Sequence, residues 1–448
     1  MELASMGFID LAERSVSTRV LNDEWIYRRE MESLFSTRWN CVAHVTEIQA
    51  PGSYVVRRIG DQSVIVARDR DGAINVLKNQ CRHRSMTLCI ESGGQRANFE
   101  CPYHGWTYGL DGELVGVTAE KHMYEDLDKS ARGLDRYAVE TRWGFVFARP
   151  VASSGPSFEE YLGEAGWYMD IMFARSNGGL QVYGAPQRWV VPANWKLPAE
   201  QFATDGYHVL RLHKSMIELG LLGKVKPDYR SAGLYGIDIA TSFGHGFRCV
   251  DLTYSSTPLV KKTPVELEQF RLRPPPGMSP DMVDQLQETL DDDQRRTLLW
   301  APPMIGQIFP NMAVMSMYMP TAEMTMGEII SVRTWNPRGA DRTEILSWVL
   351  VETDASPEVQ ERTIETTIRN FGMSGLFEED DAETWVRIQQ GLGGDAGGAG
   401  RLSYDAVLGE KRPENWAGPG KVFDGPSRDD NQWEFWLEWA RALDGGPR

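Results

Sequence analysis

Two short matched segments, Cys81-Arg82-His83 and Cys101-Pro102-Tyr103-His104-Gly105-Trp106, constrain this chain more than any other feature. Each carries one thiol and one imidazole, in the order C-x-H, seventeen residues, C-x-x-H. Four such donors in two short loops can grip a two-metal cluster asymmetrically. Two cysteines then hold one iron of a [2Fe-2S] centre and two histidines the other, which raises its potential above that of an all-cysteine cluster. The rival reading is a Cys2His2 zinc site, which also wants four N/S ligands. Zinc modules, however, usually place the cysteines together and the histidines together. Here each segment holds one of each.

The asymmetric cluster is a Rieske centre, with Cys81, His83, Cys101 and His104 as its candidate ligands. Respiratory Rieske proteins join their two loops by a disulfide, and the corresponding positions here are Met86 and Tyr103. The serine that such proteins aim at a cluster sulfide would fall at Trp106. Fewer hydrogen bonds to sulfur place the expected potential toward the low end of the Rieske range. That suits a donor to oxygen chemistry and not a quinol acceptor.

A chain of 448 residues with 42% hydrophobic content can build two or more cores, and the cluster module needs about a quarter of it. The five cysteines include two candidate ligands, and Cys41, Cys89 and Cys249 form no paired framework, as in a reducing cytoplasm. Residues 1–15 lack a basic segment followed by an apolar one, so no secretory signal is expected. No run reaches the length of a membrane span. The net charge of -16 argues against nucleic acid as a partner.

A helix is expected from Asp23 to Phe35, capped by Asn22 or Asp23. Short β-rich runs follow: Gly52–Arg57, Ser63–Arg68, Ile74–Leu77, Trp106–Leu110, Glu113–Val115 and Trp143–Ala148, punctuated by Asp71-Gly72 and Asp111-Gly112 turns. These set the expected division: an N-terminal helical part (1–37), an all-β cluster domain (38–153) and a mixed catalytic domain (154–448). Within the last, a charged helix is expected over Asp281–Trp300 and an amphipathic one over Trp433–Leu443. The glycine-rich run 391–400 holds six glycines but no Lys-Ser/Thr ending, so it reads as a surface loop or lid and not a phosphate loop.

The second constellation lies between Asn194 and His213. Two of the chain's seven histidines, His208 and His213, stand five apart here, with Asp205 three before the first. A five-residue step on an ideal helix turns about 140° net, so both imidazoles share one face only if the helix bends, bulges or ends between them. A metal would be a reason for that distortion; two hydrogen-bonded buried histidines are the plainer reading. Further on stands the acidic knot Glu378-Glu379-Asp380-Asp381 between Phe377 and Trp385. Two imidazoles and one carboxylate form the facial triad of non-heme iron oxygenases, whereas a solvated helix N-terminus also favours acidic residues.

With both constellations in one chain, the sequence resembles the alpha (large oxygenase) subunit of the Rieske non-heme iron aromatic ring-hydroxylating dioxygenases, the naphthalene and biphenyl dioxygenase family. The likeness rests on the Rieske loops, the D-x-x-H-x4-H core within 194–213 and the E-x-D-D element before Trp385. It implies an α+β fold, with the all-β Rieske domain inserted in a helix-grip-like catalytic domain on a central antiparallel sheet. It implies His208, His213 and Asp381 as ligands of mononuclear Fe(II), and Asp205 as the acid linking His208 to His104 of a neighbouring chain in a head-to-tail trimer. Gln201 stands where the family often has Asn. It implies a small beta subunit (α3β3), and NADH electrons arriving through a separate reductase and ferredoxin. No NADH site is expected in the chain itself, and its glycine-rich run lacks the G-x-G-x-x-G fingerprint. The implied reaction adds both atoms of O2 to an aromatic ring to give a cis-dihydrodiol, as in aromatic catabolism.

The substrate is not legible. Gln201, Phe202 and Val209 match family pocket positions and suit a flat ring. Met315, Met317 and Met319 share one face of an expected strand and could line an adaptable pocket, although core packing is the commoner role of such a stripe. Arg211 could meet a substrate carboxylate or stand on the surface. A monooxygenase or demethylase of the same superfamily would use the same ligands. A non-catalytic electron carrier would leave the His-His-Asp set idle.

Overall fold

The computed structural model describes residues 7–151, 153, 155–206, 208–220, 236–250, 265–323, 325–392, 400–425 and 428–444. The glycine-rich run 391–400 lies mostly outside these. The chain divides into two compact units: Phe35–Pro156, and a second made of Met1–Leu34 with Ser157–Arg448. The smaller is therefore an insertion in the larger. Among the described residues no helix is long and apolar enough to cross a membrane.

The small unit consists of three short antiparallel sheets. One holds Ser53–Ile59, Gln62–Arg68, Ile74–Lys78 and Gly93–Gln95, and another holds Asn40–His44, Tyr137–Arg142 and Phe145–Pro150. The third, Phe99–Glu100, Thr107–Tyr108 and Leu114–Gly116, brackets the second cluster loop, its first two strands pairing on either side of it. The strand expected from Trp143 begins instead at Phe145, because Trp143 (φ 52°) and Gly144 (φ 80°) are both left-handed. They turn the hairpin whose first arm, Tyr137–Arg142, the sequence reading did not include. At the Asp111-Gly112 turn Gly112 is left-handed at φ 89° and a Cβ there would press on the Leu77 side chain, so the position favours glycine.

Among the described residues, the large unit is built on a nine-stranded antiparallel sheet. Its strands are β1 (Leu180–Val182), β2 (Gln187–Val191), β3 (Gly236–Ala240), β4 (Gly246–Val250), β5 (Pro303–Ile308), β6 (Met312–Pro320), β7 (Met326–Pro337), β8 (Thr343–Glu352) and β9 (Lys421–Asp424). The order is β1-β8-β7-β6-β5-β4-β3-β9, with β2 also paired to β8. Strands β6 to β8 are buried along almost their whole length, which a sheet covered on both faces requires.

Six helices bear on the site: α1 (Glu24–Glu30), α2 (Lys196–Phe202), α3 (His208–Leu212), α4 (Pro357–Phe371), α5 (Glu378–Leu392) and α6 (Asp430–Leu443). The Asp23 side chain caps α1, accepting from the amides of Trp25 and Ile26, and a π-turn over Met31–Phe35 continues it. Buried Glu30 at its end accepts from Trp195 Nε1 (2.9 Å) and Trp439 Nε1 (2.7 Å) and pairs with Lys196 Nζ (2.5 Å). That single carboxylate fastens α1, α2 and α6 together. The charged helix expected over 281–300 is broken: a 3-10 turn at Pro280–Gln285, a short helix at Leu286–Thr289, then Asp292–Trp300. Leu290 is extended, and Asp291 restarts the helix through a capping box with Gln294.

Candidate metal centres

In the small unit the two cluster loops are backbone copies of each other. The Cys81 amide donates to Met86 O and the Cys101 amide to Trp106 O, both at 2.8 Å. Ser85 and Gly105 return to the carbonyls of Cys81 and Cys101, and both are left-handed, at φ 60° and 68°. A Cβ on Gly105 would lie 2.2 Å from Thr118 Oγ1, so any other residue there must turn the Thr118 side chain aside. The thiols of Cys81 and Cys101 are buried, the half-buried His83 and His104 rings stand 4.6 Å apart, and the Trp106 ring stacks on His83.

Both histidines bury an Nδ1 atom that has no hydrogen-bond partner. An orphaned buried nitrogen is costly unless something coordinates it. Two thiols with two such nitrogens fit a [2Fe-2S] cluster of Rieske type. Burial pushes the Cys101 thiol up, against the amides of Tyr103 and His104, which point at its sulfur. The Tyr108 hydroxyl lies 3.3 Å from Cys81 Sγ and accepts from the Arg82 amide at 3.0 Å. The sulfur surroundings are thus richer in donors than the loss of the respiratory serine suggested. None of the five cysteines, all of them among the described residues, forms a disulfide, and the Met86 and Tyr103 side chains are exposed.

In the large unit α3 ends at Leu212 and a new helix starts at Lys214, leaving His213 at the junction. This break solves the five-residue spacing. The opposing carboxylates come from the first turn of α5, whose start is set by a tight reversal after α4. There a Cβ on Gly375 would lie 2.5 Å from Asn370 O. Among the described residues, His208, His213 and Asp381 are the one set of three or more such groups whose donor atoms all lie within 4.8 Å of one another. Asp381 Oδ1 is 3.3 Å from His213 Nε2 and 3.8 Å from His208 Nε2. It is buried and makes no hydrogen bond. Three donors converging on one point, one of them an orphaned carboxylate oxygen, fit a cation.

A carboxylate stands behind each imidazole. Asp380 Oδ2 is 3.1 Å from His213 Nδ1, and Asp205 Oδ2 is 3.4 Å from His208 Nδ1. The two aspartates of the pair therefore divide the work: Asp381 faces the metal point and Asp380 orients its imidazole. Burial is the largest influence on His213 and lowers its pKa, but Asp381 and Asp380 outweigh it and the net direction is up. The site draws positive charge to this point. Burial likewise raises Asp205, but His208 and Arg248 overcome it and hold the carboxyl below its ordinary value. Gln201 accepts from Trp385 Nε1 at 2.7 Å and sits 3.4 Å from His208 Nε2, so it links α2 to α5.

Two buried cations that the sequence reading missed brace this arrangement. Arg333 of β7 pairs with Glu378 at 2.5 Å, both fully buried. Its guanidinium lies 5.7 Å from the Phe202 ring centroid and 5.6 Å from that of Phe371. Burial pushes Glu378 up to about 7 against the pull of Arg333. Arg248 of β4 pairs with Asp238 at 3.0 Å and donates to the carbonyls of Thr204 and Asp205. It thereby secures Thr204, which is left-handed at φ 78°. Neither arginine belongs to a motif; register on the sheet is what places them.

A cavity of about 150 Å³ opens beside the metal point. Gln201, Phe202 and Val209 line it, with Phe371, Phe377 and the three methionines Met315, Met317 and Met319. The methionine stripe is thus cavity wall and not only core. Arg211 is exposed and lies outside this lining.

Residues 38–135 match the Rieske [2Fe-2S] domain family, and residues 158–414 match the ring hydroxylating alpha subunit (catalytic domain) family. The alpha subunit of N,N-dimethyl phenylurea N-demethylase from Sphingobium sp. (strain YBL2) is 35% identical, over 95% of this chain and 91% of that protein. The alpha subunit of biphenyl 2,3-dioxygenase from Rhodococcus jostii (strain RHA1) is 33% identical, over 97% and 90%. Among solved structures, naphthalene 1,2-dioxygenase from Rhodococcus sp. bound to indole is similar with a TM-score of 0.85 and 35% identity, covering 96% of this chain and 94% of that one.

Proposed function

The chain belongs to the ring-hydroxylating oxygenase alpha subunits, with a Rieske [2Fe-2S] domain and a mononuclear iron site at His208, His213 and Asp381; from this premise we propose that it is a dioxygenase acting on an aromatic ring. Arene, O2, two electrons and two protons would give a cis-dihydrodiol. The observation that carries this reading is the cavity beside the metal point, walled by aromatic rings and methionines. Such a wall binds a flat apolar ring, and the arginine in the lining, Arg248, is already paired with Asp238. Iron, when bound, supplies the oxygen activation.

The chain's own residues hold, orient and exclude. Cys81, Cys101, His83 and His104 hold the cluster. Asp380 holds the His213 imidazole at Nδ1, and Asp205 accepts from the His208 backbone amide and places its other oxygen beside Nδ1 of that ring, leaving each Nε2 for iron. Phe202, Phe371 and Phe377 keep water from the reacting ring. Electrons would come from NADH through a separate reductase and ferredoxin, and pass by way of Asp205 from His104 of a neighbouring chain. A small beta subunit in an α3β3 assembly, a helix-grip class for the large unit and a cytoplasmic location complete the proposal.

The second reading is N-demethylation, favoured by the 35% identity to the phenylurea N-demethylase alpha subunit. Turnover under oxygen-18 gas separates the two. A dioxygenase places both labelled atoms in one vicinal diol, whereas a demethylase places one in water and releases formaldehyde from an N-methyl substrate. Formaldehyde without any diol, across a panel of arenes and N-methyl anilides, would overturn the dioxygenase reading.

A further inference from the structure

Behind the iron-site cavity lies a second one, of about 180 Å³, and the two share the side chains of Met304 and Met317. Ser316 and Tyr318 of β6 line the second cavity and Met315 and Met319 the first, alternate positions on the strand, with Met317 common to both. Strands β5 and β6 pair only from Ile305↔Met315 to Ile308↔Met312, whereas β6 runs on beside β7 as far as Pro320↔Met326. Beyond Met315 the β5-side edge of β6 has therefore parted from β5. Just there the β4–β5 register jumps from Arg248↔Ile305 to Cys249↔Pro303, which leaves Met304 as the extra residue of a β-bulge. Bulges re-aim side chains and recur beside active sites. Here the bulged side chain and Met317 plug the gap between the strands.

The second cavity is apolar where it is deep. Its two buried hydroxyl groups are engaged: Tyr318 donates to Pro274 O at 2.5 Å and Ser316 accepts from Arg175 Nη1 at 3.4 Å. Phe270 and Leu299 supply hydrocarbon, and Arg273, exposed, stands at the rim. Two methionines are a soft plug, because an unbranched thioether changes rotamer at little cost.

We infer that Met304 and Met317 form a gate through the sheet, and that the second cavity receives the apolar, non-reacting end of an elongated aromatic substrate whose reacting ring sits at the iron. The inference rests on the aromatic-substrate reading and deepens it by fixing substrate shape: a ring with an in-line apolar extension of about one further ring.

The test compares biphenyl-shaped and single-ring ligands, 4-phenyltoluene against toluene, on the assembled protein. Anaerobic calorimetry gives binding and aerobic turnover gives kcat and KM. Leu299→Trp fills the second cavity without lining the first. It should weaken binding and raise KM for 4-phenyltoluene about tenfold while changing toluene by less than about twofold. Met326→Trp, placed at the half-exposed rim, should act in the same direction and guards against a folding defect in the variant at the partly buried Leu299. Met317→Ala should shift preference toward the longer ligand. Equal effects on both ligands, or no effect on either, from two folded filling variants would overturn the gate. A wild-type protein that binds neither ligand would overturn the aromatic reading, and the gate with it.

Discussion

Between Cys81 and His104 the small unit supplies all its cluster donors from two loops with the same backbone hydrogen bonds, whereas the large unit must bring His213 to Asp380 and Asp381 from the far side of the chain, 167 residues separating the first two. The first site is specified locally, by glycine-like conformations and a fixed spacing. The second is specified by the sheet and by buried arginines that no motif contains. A local site should therefore fail by losing its own ligands, and a distributed site should also fail when its remote braces go.

The largest effects separate the two sites outright. Asp381→Ala should abolish turnover and remove the iron in excess of the cluster's two, leaving the visible spectrum of the cluster intact. If Asp380→Ala lost that iron and Asp381→Ala kept it, the roles within the pair would be reversed. His104→Cys should do the converse: potential lowered by about a few hundred mV toward the all-cysteine range, no turnover, and mononuclear iron retained. An unchanged spectrum and potential would remove His104 from the cluster.

The next effect probes what connects the sites. Asp205→Asn keeps the shape beside His208 but loses the charge, so metal content should stay near normal while passage of the cluster electron slows about 100-fold, in line with other losses of a carboxylate behind a metal-bound imidazole. Stopped-flow reoxidation of the reduced protein measures it, and a wild-type rate would reduce Asp205 to a structural role.

Smaller still are the braces. Arg333→Met strands Glu378 in the core and should cost about 3–5 kcal/mol of stability together with some iron affinity, read by urea unfolding and iron titration. The double variant Arg333→Met/Glu378→Leu should recover most of the stability. Breaking the exposed Arg387–Glu383 pair should cost under about 1 kcal/mol. Equal losses from the buried and exposed pairs would deny the distributed site its special dependence. Least of all, Tyr108→Phe removes one hydroxyl beside Cys81 Sγ and should lower the cluster potential slightly without touching the iron site.

What the sequence made legible follows the same division. The cluster loops, the broken His208–His213 spacing and the Asp23 cap rest on neighbours in the chain, and their chemistry reads directly from spacing. The hairpin at Trp143-Gly144 escaped because a tryptophan at φ 52° carries no turn signal. The break at Leu290 escaped because a charged run looks helical throughout, although Asp291 and Gln294 spell a capping box in its middle. Arg333 and Arg248 escaped for a deeper reason. An arginine is usually a surface residue, and only cross-strand register reveals that these two point inward at Glu378 and Asp238. The role of Met304 depends in the same way on a bulge that composition does not announce.

The most direct test of the link between the two sites is a single turnover of the pre-reduced protein with substrate and O2 present, following cluster absorbance and product in the same sample. In the wild type the cluster should reoxidise in step with product formation, and in Asp381→Ala it should stay reduced over that interval with no product. Reoxidation of the Asp381→Ala cluster at the wild-type rate would contradict the claim that the cluster serves the iron held by His208, His213 and Asp381.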